Sequence, residues 1–466
     1  MKISLIKNAE ELKQIVVGVE KDLLAKAMEC ARKTFGNLLE QIDLLIQKHK
    51  PRDLRVVHKR SIWYRTWLGQ VRVTRRQYRG SDGKYRYPLD ELMGMARYNH
   101  TTFAVKEIAC RLAAEMPFRR SAEVLSRTTS IDLSYRTIHR LIHRVLINSQ
   151  DESDRETAWF EETGELKHAE GKVAKRLMIE ADGVMLPLQR ETARKAEIKL
   201  GIVYEGWQKV GKDRYSTVNK TYYADMVDTD RFWSAMTLKL HQKYDLSRTQ
   251  HVIGGDGAAW IKEGVAYFGG QYQLCRYHLN RALYHALGHD HATLRSVQHH
   301  CNRNDLDAAL KQLQEAANVA LDEKAKEIKR VIKYIRSNSH GLQDYRDNLE
   351  HPDSDLRRTG AIEGNIDKLI VRRMKNQGMS WSRQGIRNML RLRISIREGT
   401  FTNYLLSCPE QGDHSKMPGK QINKVIDRAM KYDYTDYFNV RLPAIYGPHA
   451  SREWVGVLKS LTRIAV

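Results

Sequence analysis

Three acidic residues of this 466-residue chain stand where carboxylates could do metal-dependent chemistry. Asp182 lies in Ile179-Glu180-Ala181-Asp182-Gly183-Val184, where an apolar strand is expected to end. Asp256 lies in Val252-Ile253-Gly254-Gly255-Asp256-Gly257-Ala258, leaving a second apolar strand. Glu363 lies in Gly360-Ala361-Ile362-Glu363-Gly364-Asn365, opening a helix. Phosphodiester cleavage by a two-metal mechanism needs carboxylates that hold two Mg²⁺ (or Mn²⁺) ions about 3.5–4 Å apart, one beside the attacking oxygen and one beside the leaving oxygen. Such ions prefer hard oxygen donors and keep several waters, so a few carboxylates on rigid elements suffice. At about 100° per residue, Ile362, Ile366, Leu369 and Ile370 centre near 25°, with Glu363 about 75° and Asp367 about 115° from that centre. Glu363 therefore belongs at the rim of the buried face and Asp367 further toward solvent.

The same residues fit plainer roles. Asp-Gly is a strong hairpin-turn signal, and Asp182-Gly183 and Asp256-Gly257 both carry it. Glu363 also suits a helix start through the helix dipole alone. Spacing leaves both readings open. Gly254-Gly255-Asp256-Gly257 lacks the Lys-Ser/Thr of a nucleotide P-loop. Cys275-Arg276-Tyr277-His278 is a Cys-x-x-His pair. A zinc site would need two more ligands from Cys301, His285, His289, His291, His299 or His300, none of which makes a second pair at clean spacing. The reading adopted is a buried Cys275 with His278 hydrogen bonding near the site.

The elements that must position these residues follow from periodicity. Residues 8–48 predict a long charged helix ended by Pro51. Short β-like runs between 54 and 88, with a turn at Ser81-Asp82-Gly83, predict a basic β-ribbon. Residues 101–148 return to helix, with Ser134 as N-cap of a helix from Tyr135 to Leu146 that repeats arginine at 136, 140 and 144. With the preceding helix Ser121 to Arg127 it forms either a helix-turn-helix or an ordinary amphipathic pair. Residues 151–170 carry a net charge of −6 and mark a boundary. Strands are expected at Arg176 to Leu188, Glu197 to Trp207, Lys220 to Val227, His251 to Gly254 and Tyr272 to Cys275. Helices are expected from Asp228, Ala258 and Tyr277. A three-strand meander, a helix, then strand–helix–strand is the order of a ribonuclease-H-like α/β fold.

The expected layout is a helical region at 1–50, basic ribbon at 51–98, helix-turn-helix-like region at 99–150, acidic linker at 151–172 and ribonuclease-H-like core at 173–278. A helical insertion at 279–355, the Glu363 helix with basic helices at 356–400, and a region without a clear motif at 401–466 complete it. The net charge of +23 falls as +14 on residues 1–150, zero on 151–350 and +9 on 351–466. A surface so basic and so segregated points to a polyanion partner. Five cysteines, odd in number and scattered, argue against a disulfide framework. No apolar run spans a bilayer and the start lacks a signal peptide, so a cytoplasmic protein is expected.

Five segments together resemble the ISLre-type family of bacterial insertion-sequence transposases, part of the wider Mutator-like group of DDE transposases. They are Glu180 to Val184, Lys199 to Trp207, Gly255 to Ile261, Cys275 to Leu279, and Ala361 to Asn365 with Arg372-Arg373-Met374-Lys375. The resemblance runs from the basic ribbon to about residue 397. It implies a ribonuclease-H-like core with a helical insertion between the second and third acids. It also implies a metal-binding triad of Asp182, Asp256 and Glu363, supported by Cys275 and His278. The expected activity is Mg²⁺-dependent nicking of element ends followed by strand transfer, by at least a dimer on double-stranded DNA. Arg136, Arg140 and Arg144 are expected to read the terminal repeats, with phosphate contacts from Arg72, Arg75 and Arg76. Arg372, Arg373 and Lys375 are expected to clamp DNA beside the site. The alternatives are a nuclease or resolvase on the same fold, or a DNA-binding regulator without catalysis.

Overall fold

The structure is a computed structural model that describes residues 9–95, 100–166, 171–349, 356–376, 378–407 and 426. Two compact units emerge, one from the described residues of Met1–Lys106 and Ala122–Leu133, the other from those of Glu107–Ser121 and Ser134–Cys408. The helical region expected at 99–150 is therefore divided between them. Most of the region expected at 401–466 lies outside the described residues.

In the first unit the helix Ala9–His49 precedes a three-stranded antiparallel sheet, β1 (Arg55–Thr66), β2 (Gly69–Arg79) and β3 (Tyr85–Arg86). Thr66 pairs with Gly69 across a two-residue turn, and Gly69 takes the left-handed φ of 102° that the turn requires. Tyr64, Val71 and Val73 alternate onto Leu39, Ile42 and Ile46 of the long helix. The other end of β1, from Arg55 to Ser61, is exposed on both faces.

Arg75 and Arg76 correct an expectation here. Both are buried, because elements cover both faces of that end of β2. Arg75 Nε donates to Asp90 Oδ1 at 2.6 Å, and Arg76 pairs with Asp43 of the long helix. These arginines hold the ribbon together and are sealed from any phosphate. Arg72 remains exposed.

The second unit is built on a mixed five-stranded sheet. Its strands are β4 (Arg176–Pro187), β5 (Lys195–Tyr204), β8 (Thr221–Asp225), β9 (Gln250–Gly255) and β10 (Gln271–Leu274), in the order β10-β9-β4-β5-β8. β4, β5 and β8 are antiparallel neighbours, while β9 and β10 run parallel to β4. A separate hairpin, β6 (Gly206–Gly211) with β7 (Arg214–Val218), was not expected. Strand alternation divides β4 cleanly. Leu177, Ile179 and Ala181 pack under Phe232, Trp233 and Met236 of the helix Thr229–His241, leaving Glu180 and Asp182 on the opposite face. Asp228 caps that helix as expected, accepting from Arg231 N at 2.9 Å.

Four helices, Arg276–Leu287, His291–Asn302, Leu306–Val319 and Asp322–Ser337, follow β10 and bury a core of their own around Leu283, Val297, Leu313 and Ile332. The helix capped by Ser134 begins at Tyr135 as expected but runs to Thr163, so residues 151–163 are helical rather than linker. Among the described residues no helix is long and apolar enough to cross a membrane.

Candidate metal centre

The separation of 74 residues between Asp182 and Asp256 is the register of the sheet. β4 and β9 pair in parallel from Arg176↔Gln250 to Glu180↔Gly254, the same offset throughout. Two residues further on, Asp182 and Asp256 stand at matched positions where the parallel pairing stops. Neither Asp-Gly pair is a hairpin turn. Asp182 and Gly183 lie within β4, paired to Leu200 and Lys199 of β5. Asp256 leaves β9 toward the short helix Ala259–Lys262, and its Oδ1 accepts from Ala258 N at 2.9 Å.

The next crossover brings in His278. Cys275 N donates to Gly255 O at 2.7 Å, seating the chain beside β9 before the helix Arg276–Leu287 begins. His278 is in the first turn of that helix. Cys275 is buried, and burial pushes its thiol up to about 11, so it packs as an inert thiol.

Glu363 is delivered by the helix Ala361–Ile366, which continues as a π-helix from Asp367 to Lys375. The start of this helix is fixed by a residue that sequence reasoning missed. Glu180 is fully buried on β4, and its carboxylate accepts from Gly360 N at 2.9 Å, Ala361 N at 3.2 Å and Ile362 N at 3.1 Å, and from the Tyr204 hydroxyl. These are the amides that a helix start leaves without intrahelical partners. Glu180 thus caps the Glu363 helix from a neighbouring strand, two residues before Asp182. Gly360 takes a φ of 141°, open only to glycine. A Cβ at Gly254 would stand 3.1 Å from Glu180 Cγ, so the strand opposite leaves room for this cap. The sequence signal was present: a glutamate between apolar neighbours in a buried strand must find donors.

The result is a tight cluster. Asp182, His278 and Glu363 each offer a ligand atom within 4.8 Å of the others. Asp256 is outside this group of three, yet close enough that its charge acts on Asp182. Burial, then the carboxylates of Asp256 and Glu363, pushes the Asp182 carboxyl up to about 6, against the Gly183 N–H and His278. His278 Nε2 lies 3.2 Å from Glu363 Oε1, but that oxygen accepts no hydrogen bond, and His278 Nδ1 also has no partner. Crowded carboxylates with unused donor atoms fit a divalent cation, which would neutralise the repulsion and use those lone pairs. Hard carboxylate oxygens suit Mg²⁺ or Mn²⁺, and the imidazole suits the latter better.

The basic residues divide. Arg136, Arg140 and Arg144 are exposed along one helix, and Lys375 is exposed. Arg372 is exposed and pairs with Asp367 at 2.7 Å. Arg373 is a correction, being only 2% exposed and enclosed between the Phe118 and Trp381 rings. Its neighbours on the π-helix, Leu369, Ile370 and Met374, are buried with it, so this part of the run lies inside the unit.

The sequence matches the model of a family described as "Uncharacterised protein family (UPF0236)" over residues 6–404. UPF0236 protein TTE2489 of Caldanaerobacter subterraneus subsp. tengcongensis is 27% identical over 421 residues, covering 86% of this chain and 85% of that protein. A second protein of that organism, whose name joins eleven designations from TTE0033 to TTE2212, is 27% identical over 403 residues, covering 85% and 80%. The UPF0236 protein in the vanSb 3′ region of Streptococcus gallolyticus is 23% identical over 415 residues, covering 86% of each. The chain belongs to the UPF0236 family.

Proposed function

We propose that this member of the UPF0236 family is a DNA transposase of an insertion sequence, cutting and joining DNA at a divalent-metal site on a ribonuclease-H-like core. The observation that carries the reading is the convergence of Asp182, Glu363 and His278, with Asp256 at the matched position on the adjacent strand. Three supports stand beside it. The order β10-β9-β4-β5-β8, an antiparallel meander beside two parallel strands, supports a ribonuclease-H-like reading of the sheet. The four-helix segment falls between the second and third acids, where the resemblance to ISLre-type transposases expects an insertion. One relative's name covers eleven designations in one organism, as a gene carried in many copies would.

Asp182, Asp256 and Glu363 would hold Mg²⁺ or Mn²⁺, with His278 as a further donor. Metal bound there supplies Lewis-acid polarisation of the scissile phosphate and lowers the pKa of an attacking water. The chain's own work is positional. Glu180 locks the Glu363 helix to β4, and the shared register holds Asp256 beside Asp182. Duplex binding falls to exposed cations: Arg72 on the ribbon, Arg136, Arg140 and Arg144 on the long helix, and Arg372 and Lys375 beyond Glu363. A carboxylate site on this fold also serves nucleases that cut without joining, so joining is the decisive readout.

The test uses the full chain with duplexes made from the segments that border its own gene, in Mg²⁺ or Mn²⁺. The expected result is cleavage, and joining of pre-cleaved 3′ ends to a target duplex. Asp182→Asn should abolish both while duplex binding persists. Cleavage without joining would identify a nuclease or resolvase. Unchanged cleavage and joining by Asp182→Asn would remove the cluster from the chemistry.

A further inference from the structure

The helix Arg276–Leu287, whose first turn carries His278, packs into the fold through one face. Leu279, Leu283, Ala286 and Leu287 are buried in the core of the insertion. At about 100° per residue, with Tyr277 as zero, they centre near 225°. Tyr277, Arg281 and Tyr284 fall at about 0°, 40° and −20°, one stripe roughly 140° away from that core. Both rings are exposed, Tyr277 by 53% and Tyr284 by 59%. Arg281 is exposed between them and has no ion pair or hydrogen bond among the described residues. The helix contains no acidic residue.

The stripe starts at the metal centre. The Tyr277 ring stands edge-on to the His278 imidazole, with centroids 5.5 Å apart, and His278 Nε2 lies 3.2 Å from Glu363 Oε1. From there the stripe runs outward for seven residues, roughly 10 Å. That length is on the order of three nucleotides, at about 3.4 Å each along a strand. A single surface ring needs no explanation. Here two rings and an unpaired cation lie on one line that begins beside a metal ligand. Such a line suits a strand whose bases are unpaired, since the rings can stack on bases while the guanidinium meets a phosphate. A fully paired duplex keeps its bases stacked on one another and offers the rings only its backbone.

We propose that this face is a platform for an unpaired stretch of the DNA strand that enters the metal centre, with Tyr277 and Tyr284 stacking on bases and Arg281 on a phosphate between them. The proposal rests on the reading of the metal centre as a DNA-cutting site. It adds that the strand is held unpaired beside the scissile phosphate. Taking bases out of a duplex costs pairing and stacking, which the rings offset. Because the same rigid helix carries His278, a strand held on it has a fixed position relative to the metal ligands.

The test is fluorescence anisotropy of the full chain with labelled single-stranded hexathymidylate, and with a DNA hexamer of the same charge that lacks bases, in EDTA so that nothing is cut. Hexathymidylate should bind at least roughly tenfold tighter than the abasic hexamer. Tyr277→Ala and Tyr284→Ala, both at exposed positions, should each weaken hexathymidylate roughly fivefold or more and leave the abasic hexamer unchanged. Tyr277→Phe keeps the ring and should bind as the wild type does. Arg281→Ala should lower the slope of log affinity against log salt by about 0.7, the value for one single-strand phosphate. A 5-iodouracil placed in the hexamer and irradiated should cross-link to the peptide bearing Tyr277 or Tyr284. Cross-links found only on other peptides, or hexathymidylate affinity unchanged in both alanine variants, would overturn the proposal by placing the strand elsewhere. A chain that cuts and joins DNA yet fails these measurements loses only the platform. One that binds as expected yet cuts nothing keeps the platform and loses the transposase reading.

Discussion

Glu180 shows how one side chain can set a site without offering it a ligand atom. A buried carboxylate is costly to desolvate, and here burial pushes the carboxyl up while four donors favour its ionised form. Three of those donors belong to the start of the Glu363 helix, so the interaction fixes where Glu363 sits. Glu180→Gln keeps the shape but turns an amide NH₂ toward backbone N–H groups. It should raise the Mn²⁺ dissociation constant roughly tenfold or more, as loss of an outer partner of a metal ligand does. Calorimetry with Mn²⁺ measures this without any activity, and an unchanged constant would restrict Glu180 to a structural role. The acids were legible in the sequence because each punctuates an apolar run with glycine nearby. Glu180 was overlooked beside them, although its isolation among Ile179, Ala181 and Met178 carried the signal. Arg373 was misread because its neighbours Arg372 and Lys375 suggested a basic face, whereas the π-helical run buries it with Leu369, Ile370 and Met374.

At the level of elements, the segment entering the Glu363 helix is tied to the end of the helical insertion. Arg358 Nε donates to Asp344 Oδ2 at 3.0 Å, Arg346 Nη2 to the same oxygen at 2.7 Å, and Tyr345 OH to Arg357 O at 2.5 Å. Burial raises the Asp344 carboxyl, but Arg346 and Arg358 outweigh it and hold it down at about 2. A carboxyl depressed in the folded state stabilises the fold above its unfolded pKa near 3.8 and loses that contribution as pH falls toward 2. The shift corresponds to about 2 kcal/mol at neutral pH. Urea unfolding of the wild type should therefore weaken between about pH 5 and pH 2 by that much more than unfolding of Asp344→Asn. Parallel pH profiles would refute the assignment. The strands and helices between residues 176 and 337 were readable because apolar strands and amphipathic helices have different periods. The β6–β7 hairpin was not, since its short strands mix polar and apolar residues without a clean alternation. Nor was the continuation of the Tyr135 helix through the acidic stretch, because negative composition alone does not end a helix.

Across the whole molecule, the charge of +23 reads as separate devices rather than one coating. The middle of the sequence is neutral and holds Asp182 and Asp256, where bound cations would supply the positive charge a phosphate needs. The N-terminal excess includes the ribbon, whose exposed Arg55, Lys59, Arg60, Arg65 and Arg72 stand among exposed Trp63 and Trp67. Cations spaced among aromatic rings suit a phosphate backbone, and Arg75 and Arg76 serve that surface indirectly by pairing with Asp90 and Asp43 beneath it. Duplex affinity of the full chain should fall linearly in log–log form with salt, at about 0.9 per phosphate neutralised. Replacing Lys59, Arg60 and Arg72 together by alanine should reduce that slope by roughly one for each lost contact and leave the melting temperature unchanged. Arg75→Ala should act the other way, lowering the melting temperature because it leaves buried Asp90 with the Tyr64 hydroxyl but without its counter-charge, a loss of up to about 3–5 kcal/mol for a buried pair. If the triple variant retains the wild-type slope, duplex binding lies elsewhere and the ribbon's charge is only solvation. The contrast with Arg75→Ala separates these cases, since only a folded ribbon with its outer cations removed isolates the phosphate contacts from the scaffold that presents them.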